Sequence, residues 1–323
     1  MLAAAIEHDW DKTSDRWPEN LTVAAYRIKR ESPLRVPDLI LRSIGFVAEV
    51  NGDDLSTANI DPVGTVFLVS IPSSEIPGGR FCYAITARHV LDEATPNTER
   101  VIVVNRRGGG VAFLTLLSEW LGHPDASVDV AALPVKYDAS VDVSMFDLED
   151  LFDESNNREN IGPGDEVFFP GLFTPAPGHE RVMPMVRHGN LAMLPNQQIQ
   201  TSEGYQDIYL IEARSIGGFS GSPVFVRETV VLPVSRGDGE GEQVMQGLGK
   251  FKLLGLIKAH WDVEESKINQ AHVLHSPKRG VNMGVAQVVP AKKILETLER
   301  PEFKAMRHGA ESAYLSQMDG SND

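Results

Sequence analysis

Three segments of the sequence place residues with catalytic chemistry beside apolar runs. The first, residues 83–89, begins as an apolar run, continues with small residues and ends at His89. The second places Asp129 directly before an apolar run, and the third places Ser220 in a glycine-rich turn that leads into another. A serine hydroxyl is a weak nucleophile at neutral pH, so it needs a neutral imidazole as base and a carboxylate that orients this imidazole. The three residues predict acyl transfer, with Ser220 as nucleophile, His89 as general base and Asp129 as its orienting carboxylate.

The glycines around Ser220 fit the same chemistry. The oxyanion that forms during acyl transfer needs two backbone N–H groups that converge on it. A turn that aims these groups inward crowds any Cβ atom and often requires a positive φ, which glycine adopts readily. Gly217, Gly218 and Gly221 supply that freedom.

Two neighbouring residues compete with these assignments. Asp125 lies four residues before Asp129, but it follows Pro124 in a turn-like stretch, where aspartate ordinarily caps or forms the turn. Asp129 abuts the apolar strand, so we prefer it as the orienting carboxylate. Ser222 lies close to Ser220, but alternate residues that enter a strand face opposite sides, so we expect it to point away.

The elements that must position these residues are short β-strands. Apolar, β-branched and aromatic runs cut by Gly, Pro, Asn and Asp are typical of antiparallel sandwiches and barrels. The first set covers residues 44–50, 64–69, 81–87, 101–105, 111–116 and 130–135, and the second covers 166–173, 185–195, 207–213, 222–226, 230–234, 252–261 and 281–289. We therefore predict two β units of similar size.

One helix is expected after the second set of strands. Pro290 suits the first position of a helix, where a backbone N–H is not needed. Ile294, Leu295 and Leu298 recur at helical spacing, so we expect this face to pack on the second β unit. Beyond Pro301 the sequence turns polar, which predicts a frayed tail.

Composition and charge narrow the classes of protein. With 42% hydrophobic residues, 28 glycines and 20 prolines, the chain is globular and rich in turns. No apolar run approaches the ~18 residues that cross a bilayer, and the start lacks the pattern of an export signal. The net charge of −15 disfavours nucleic-acid binding.

The single cysteine, Cys82, cannot form an intramolecular disulfide, and the histidines lack metal-ligand spacing. We expect a cytoplasmic protein without metal, cofactor, nucleic acid or membrane partner.

Taken together, the motifs resemble those of the trypsin/chymotrypsin-like serine protease family, in the style of its bacterial, disulfide-free members. The resemblance covers residues 44–300, and the chain order His, Asp, Ser is that of the family. The matching segments are the opening strand at 64–69, the histidine motif at 86–89, the aspartate motif at 129–133 and the serine motif at 218–223.

The resemblance implies an all-β fold of two six-stranded antiparallel β-barrels with a C-terminal helix. His89 and Asp129 would lie on the first barrel and Ser220 on the second, with the N–H groups of Gly218 and Ser220 as the oxyanion hole. The implied organisation is an N-terminal extension over residues 1–43, a first barrel over 44–136, an acidic connector over 137–163, a second barrel with its closing helix over 164–300 and a polar tail over 301–323.

The resemblance also bears on the substrate pocket and on one departure from the family. Arg214 would fall near the base of the pocket, although a surface salt bridge is an equal alternative, and Lys258, Ala259 and His260 would follow the strand that lines the cleft. Phe219 stands where secreted members have the aspartate that captures a new N-terminus. We expect its ring to order the turn by packing against the second barrel.

The implied activity is that of a serine endopeptidase, which hydrolyses peptide bonds of peptide or protein substrates through an acyl-enzyme. The alternative is a catalytically idle module of the same fold that binds peptides or assembles with partners. An α/β-hydrolase esterase is disfavoured, because Ser222 replaces the last glycine of its motif and a strand, rather than a helix, follows Ser220.

Overall fold

The computed structural model describes residues 35–51, 60–92, 98–148, 151–152, 160–178, 180–201, 203–214, 217–236, 239–245, 251–264 and 280–319. The strands of its first half are β1 (Ile44–Asn51), β2 (Ile60–Pro72), β3 (Arg80–Thr86), β4 (Thr98–Asn105), β5 (Val111–Phe113), β6 (Thr115–Leu116), β7 (Leu121–Gly122), β8 (Ala131–Lys136) and β9 (Phe146–Asp147). Those of its second half are β10 (Glu166–Gly171), β11 (Met185–Met193), β12 (Ile199–Thr201), β13 (Gly204–Gln206), β14 (Tyr209–Glu212), β15 (Pro223–Arg227), β16 (Val230–Arg236), β17 (Gly239–Met245), β18 (Phe251–Glu264) and β19 (Gly280–Pro290). The helices are α1 (Asp38–Leu41), α2 (His89–Asp92), α3 (Ala291–Leu298) and α4 (Pro301–Asp319).

The first nine strands form a sheet that closes on itself. Its order is β5-β4-β1-β2-β3-β8-β6, with β7 paired to β8 and β9 to β2. Strands β5 and β6 belong to one stretch of chain, residues 111–116, which pairs with β4 at its start and with β8 at its end. This stretch therefore counts as one strand, and the sheet is a six-stranded barrel.

The second barrel is closed in the order β10-β11-β14-β19-β18-β15. When the six strands of each barrel are numbered along the chain, both barrels have the cyclic order 1-2-3-6-5-4. The predicted fold class, two six-stranded barrels with a C-terminal helix, is confirmed. The predicted domain boundaries stay predictions.

The alternation of side chains along β10 shows how the barrels meet. Val167 and Phe169 point into the second barrel, while Phe168 between them packs with the core of the first, because successive strand residues face opposite sides. The Phe168 ring stacks on Phe225, with ring centroids 5.2 Å apart, and Phe225 contacts Phe146 at 4.9 Å. An aromatic layer thus joins the two barrels.

The closing helix α3 begins after Pro290 as predicted, but its contacts differ from the prediction. Ile294 and Leu298 are fully buried, and the helix packs on β18, β19 and also on β8 of the first barrel. Leu295, which we expected on the same face, is 39% exposed, because it lies one residue past the buried stripe.

The prediction of a frayed tail after Pro301 is wrong, because residues 301–319 form helix α4. Phe303 is fully buried and its ring contacts Tyr83 edge-on, with centroids 5.4 Å apart. The Glu311 carboxylate accepts hydrogen bonds from the Ser73 hydroxyl at 2.6 Å and from the Ser74 N–H at 3.2 Å. These contacts hold a helix whose sequence is otherwise polar against the first barrel.

Residues 1–34 of the predicted N-terminal extension lie outside the described residues, as do parts of the predicted acidic connector. None of the described helices is long and apolar enough to span a membrane.

Candidate active site

His89 and Asp129 are held together by two hydrogen bonds. The Asp129 carboxylate accepts one from the backbone N–H of His89 at 2.9 Å and one from the ring Nδ1 at 2.7 Å. Because an ionised carboxylate only accepts, Nδ1 carries the proton, and Nε2 is left as an acceptor. His89 begins the one-turn helix α2 three residues after the end of β3, and Asp129 lies two residues before the start of β8, which pairs with β3. Adjacent strands therefore bring the two residues together.

The contacts between His89 and Asp129 favour the charged form of each side chain. Burial alone would lower the pKa of His89, but the hydrogen bond and the charge of Asp129 outweigh it, so the pKa of His89 is raised above its ordinary value of 6.5. Burial alone would raise the pKa of Asp129, but the hydrogen bonds and charge of His89 lower it. An imidazolium that forms when His89 accepts a proton is therefore stabilised.

Ser220 lies in a turn that is attached to both barrels. Its carbonyl accepts a hydrogen bond from Thr65 N of β2 at 3.0 Å, and the next N–H, of Gly221, donates to Ile257 O of β18 at 2.8 Å. The Ser220 hydroxyl donates to the carbonyl of Lys258 at 3.3 Å. Within the described residues, no hydrogen bond joins this hydroxyl to His89.

Gly218 and Gly221 need their special backbone. Their φ angles are +96° and +84°, in the region that favours glycine. A Cβ atom on Gly221 would lie 2.2 Å from Thr65 O and 2.4 Å from Thr86 Oγ1. Thr86 ends β3, only three residues before His89, so this close approach brings the serine turn beside the strand that leads to the histidine.

The turn leaves candidate oxyanion donors available. The Gly217 carbonyl accepts from Thr174 Oγ1 at 3.5 Å, and since N–H and C=O of a trans peptide point in opposite directions, the Gly218 N–H points away from Thr174. In the described part of the chain, neither the Gly218 N–H nor the Ser220 N–H has a hydrogen-bond acceptor. Both therefore stay candidates for the oxyanion hole.

Thr65 organises this turn, a role that the sequence motifs did not predict. Its hydroxyl donates to Gly218 O at 2.8 Å and accepts from Leu172 N at 2.8 Å, and Ser222 Oγ donates to it at 3.2 Å. Thr65 is fully buried. A threonine in a strand is typical of β structure, so its sequence context, inside the opening-strand motif, gave no sign of this role.

Phe219 packs as predicted. Its side chain is fully buried in the core of the second barrel, and its ring meets Phe169 edge-on with centroids 5.5 Å apart. The guanidinium carbon of Arg187 lies 5.1 Å from the ring centroid. The residue before Ser220 is thus anchored by the ring.

The competing residues have other partners. Asp125 Oδ1 accepts from the N–H of Ser127 at 2.9 Å and from its hydroxyl at 2.8 Å, which makes it a turn residue. These bonds also lower the pKa of Asp125. Ser222 is fully buried and binds Thr65, so it points away from the cleft.

The predicted pocket residues divide into three environments. Arg214 is exposed just after β14, and it makes no hydrogen bond or ion pair with any described residue. Ala259 and His260 are half-buried on β18. Lys258, the residue before them, is 5% exposed, and its ammonium is bound to Glu203 Oε2 and Gln206 Oε1, each at 2.6 Å. The pocket assignment of these four residues stays a prediction.

Glu203 and Gln206 were also missed, because more than 50 residues separate them from Lys258 and no local pattern links them.

A polar cleft lies beside Asp129. It is lined by Ser127 and Asp129 of the first barrel, by Gln206 of β13, by Lys258 of β18 and by Lys293 of α3. Among the described residues, no group of three or more His, Cys, Asp or Glu side chains could hold a metal ion.

Comparisons with known proteins add little to this geometry. No family model matches the chain, and no curated protein matches it. Among solved structures, the chain is similar to the apo form of the MamO protease domain from Magnetospirillum magneticum, with 16% identity and a TM-score of 0.45 over 81% of this chain and 98% of that chain. The strand order of the two barrels, with the closing helix, defines a trypsin-like fold.

Proposed function

We propose that the protein is a serine endopeptidase. The observation that carries the proposal is the doubly hydrogen-bonded His89–Asp129 pair, which leaves Nε2 of the imidazole as an acceptor. In the proposed reaction His89 takes the proton of the Ser220 hydroxyl as this oxygen attacks the carbonyl carbon of a peptide bond. The same proton then passes to the leaving amine, and the acyl-enzyme that remains is hydrolysed by water.

The N–H groups of Gly218 and Ser220, which have no acceptor among the described residues, support the same reaction. The tetrahedral intermediate carries a negative charge on the former carbonyl oxygen, and the N–H groups of Gly218 and Ser220 would donate hydrogen bonds to it. The choice of a peptide as substrate rests on the resemblance of the motifs to the serine protease family. No cofactor is needed for these steps.

One observation favours the second candidate, an idle module of the same fold that binds peptides. The Ser220 hydroxyl donates to Lys258 O rather than to His89. Catalytic hydrogen bonds are often longer in free enzymes and tighten when substrate binds. The resting contact is therefore compatible with either candidate, and a chemical experiment separates them.

The test is labelling of the full chain with a fluorophosphonate, which reacts with an activated serine, followed by peptide mapping. We expect the label on Ser220, no label in Ser220→Ala or His89→Ala, and normal labelling of Ser118→Ala, which removes an exposed serine of the first barrel. A diverse peptide mixture, read by mass spectrometry, then reports peptide cleavage. Folded protein that neither labels nor cleaves would be an idle module, and label retained in Ser220→Ala would exclude Ser220 as nucleophile.

A further inference from the structure

Lys258 contacts the candidate site through both its backbone and its side chain. Its carbonyl accepts the hydrogen bond of the Ser220 hydroxyl. Its side chain is 6% exposed and lines the same polar cleft as Asp129, which binds His89. After the larger effects of burial and of the His89–Asp129 contacts, the positive charge of its ammonium acts to lower the pKa of both His89 and Asp129. A buried ammonium is costly unless it is paired and hydrogen-bonded, so the partners of Lys258 matter to the charge beside the candidate base.

Both partners come from one short hairpin. Strands β12 and β13 form a two-stranded sheet of their own, with Glu203 in the turn between them and Gln206 at the end of β13. The turn is braced by the Thr201 hydroxyl, which accepts from the Glu203 N–H at 3.1 Å and donates to the Gly204 carbonyl at 3.0 Å. Gln206 Nε2 donates to Glu203 Oε2 at 3.1 Å, so the carboxylate is held in place while it binds Lys258.

The pair is asymmetric in exposure. The Glu203 side chain is 63% exposed, whereas the side chain of Lys258 is almost fully buried. If the pair separated, the carboxylate would be solvated, whereas the ammonium would stay buried. Undocking of the hairpin would therefore cost energy and would leave a positive charge in the cleft beside Asp129 without its counter-charge.

We propose that Glu203 and Lys258 form a positioning pair for the candidate active site: the Glu203 carboxylate docks the β12–β13 hairpin on β18 and neutralises the buried ammonium in the cleft beside Asp129, the partner of His89. This inference rests on the proposed function for its relevance to catalysis. The docked hairpin keeps His89 readily protonated, and the undocked hairpin disfavours its protonation. The side chains of Glu203 and Lys258 act through His89, and it is only the backbone carbonyl of Lys258 that contacts the Ser220 hydroxyl.

Most other charged groups around the His89–Asp129 pair have partners in the described part of the chain. On its own helix, Asp92 faces Arg88 at 3.8 Å. From the neighbouring elements, Asp129 binds His89 itself, Asp125 binds Ser127, and Lys293 binds Glu296 at 3.0 Å. Asp207 lines the same polar cleft. We therefore assign to Glu203 the negative charge whose position depends on whether the β12–β13 hairpin is docked.

The first test is an NMR titration of the His89 imidazole in the full chain, which needs no catalytic activity. Glu203→Gln should lower the pKa of His89, Glu203→Lys should lower it further, and Lys258→Met should raise it. Opposite signs are decisive, because two variants that only loosened the same contact would act in the same direction. Glu203 is exposed, so its variants keep the test valid even where Lys258→Met does not fold.

The matched control is Glu166→Gln, which removes a partly exposed carboxylate from a buried cation, Arg227, in the same barrel. It should leave the titration of His89 unchanged. The second test is amide hydrogen exchange of residues 199–206, which should become faster by about twofold or more in both Glu203→Gln and Lys258→Met, with no further gain in the double variant.

An unchanged pKa of His89 in Glu203→Gln and Glu203→Lys would overturn the proposal. A pKa of His89 that falls in Lys258→Met, as it is expected to fall in the Glu203 variants, would overturn it as well. Unchanged exchange of the hairpin would overturn the docking role. These outcomes are distinct from failure of the proposed function: a chain whose Ser220 never reacts, but whose His89 titrates as described, keeps the positioning pair and loses only the activity.

Discussion

The two barrels share one strand order, yet they hold their candidate catalytic residues in different ways. The first barrel positions His89 and Asp129 from its own strands and binds them to each other. The second barrel carries Ser220 in a turn whose hydrogen bonds come from both barrels, through Thr65 of β2 and Ile257 of β18. The histidine pair is therefore assembled within one unit, whereas the serine turn depends on the contact between units.

The packing of the barrels reinforces this difference. Phe168 and Phe225 of the second barrel belong to the core of the first, and the fully buried Thr65 lies where the barrels meet. A disturbance of the interface should therefore loosen the serine turn before it separates His89 from Asp129. Substitutions in each barrel should separate the two roles in the proposed hydrolysis.

The largest effect is expected when either barrel loses its reacting group. Ser220→Ala and His89→Ala should each reduce peptide hydrolysis by about 10⁶-fold, and the double variant should be little worse, because the groups act as one unit. Single-turnover and steady-state rates on one cleaved peptide provide the measurement. Losses that simply add would show that the barrels contribute independent activities, and this would contradict the shared site.

The second effect concerns the pair inside the first barrel. Asp129→Asn should reduce hydrolysis by roughly 10⁴-fold, because the amide no longer enforces the Nδ1–H tautomer or stabilises the imidazolium. The rival carboxylate provides the control: Asp125→Asn removes a turn contact and should leave the rate nearly unchanged. Equal losses in the two variants would remove Asp129 from its assigned role.

The same pair sets the pH dependence. The base must be neutral, and its pKa is raised above 6.5 by Asp129, so kcat/KM should rise with pH through a midpoint above 6.5. In Asp129→Asn the hydrogen bond and charge that raise the pKa of His89 are lost or weakened, and the midpoint should move to lower pH. A midpoint that stays in place would mean that another group controls the acidic limb.

The third effect concerns the turn held across the interface. Thr65→Val removes the hydroxyl that donates to Gly218 O and accepts from Leu172 N and Ser222 Oγ. Three buried groups lose this partner, and each that stays unpaired costs roughly 1–3 kcal/mol of stability. Fluorophosphonate labelling of Ser220 should fall by about 10²-fold, since small displacements of reacting groups cost that much. NMR of the His89–Asp129 pair should remain as in the wild type.

A buried threonine outside this turn serves as the matched control. Thr297 of α3 is fully buried, and its hydroxyl donates to Lys293 O at 2.8 Å. Thr297→Val should lower stability without an effect on labelling beyond the loss of folded protein. If Thr65→Val perturbs the His89 signals as strongly as it perturbs labelling, the two barrels are not as independent as their hydrogen bonds indicate.

Much of the fold could be predicted because its signals are local. Apolar runs and turn residues located the main strands, and the proline before α3 marked its start. The closure of the first barrel through residues 111–116 depends on pairing with β4 and β8, which no local pattern encodes. Helix α4 was missed because the contacts that hold it are tertiary: the Phe303 ring meets Tyr83, and the Glu311 carboxylate binds Ser73 and Ser74.

The residues of the candidate site show the same contrast between local sequence signals and tertiary contacts. Residue types with an intrinsic chemistry, His89, Asp129 and Ser220, could be recognised from their motifs. Residues that act through tertiary contacts could not: Thr65 is an ordinary strand residue by sequence, and Lys258 gains its importance from the buried contacts of its side chain.

The smallest effect is expected for the contribution that the second barrel makes to its own turn. Phe219→Leu keeps an apolar side chain but loses the edge-on contact with Phe169 and the contact with the Arg187 guanidinium. We expect a loss of about 1–2 kcal/mol of stability, because swaps of similar volume are tolerated and an aromatic pair adds only about 0.5–1.5 kcal/mol. Chemical denaturation and the rate of Ser220 labelling provide the two measurements.

The comparison between Phe219 and Phe169 isolates what the ring does for the turn. Phe169→Leu removes the other ring of this aromatic pair, which lies on strand β10. It should lower stability by a similar amount without changing the labelling of folded protein. Phe219→Leu should slow labelling by about fivefold, equivalent to roughly 1 kcal/mol at the transition state, because the residue next to Ser220 is less firmly anchored. This loss is smaller than the loss expected for Thr65→Val, since the ring fixes one end of the turn while the threonine hydroxyl binds its backbone directly. A loss in Phe219→Leu that exceeds the loss in Thr65→Val would reverse the comparison, because the second barrel would then hold its own serine turn and the contact between the barrels would be secondary.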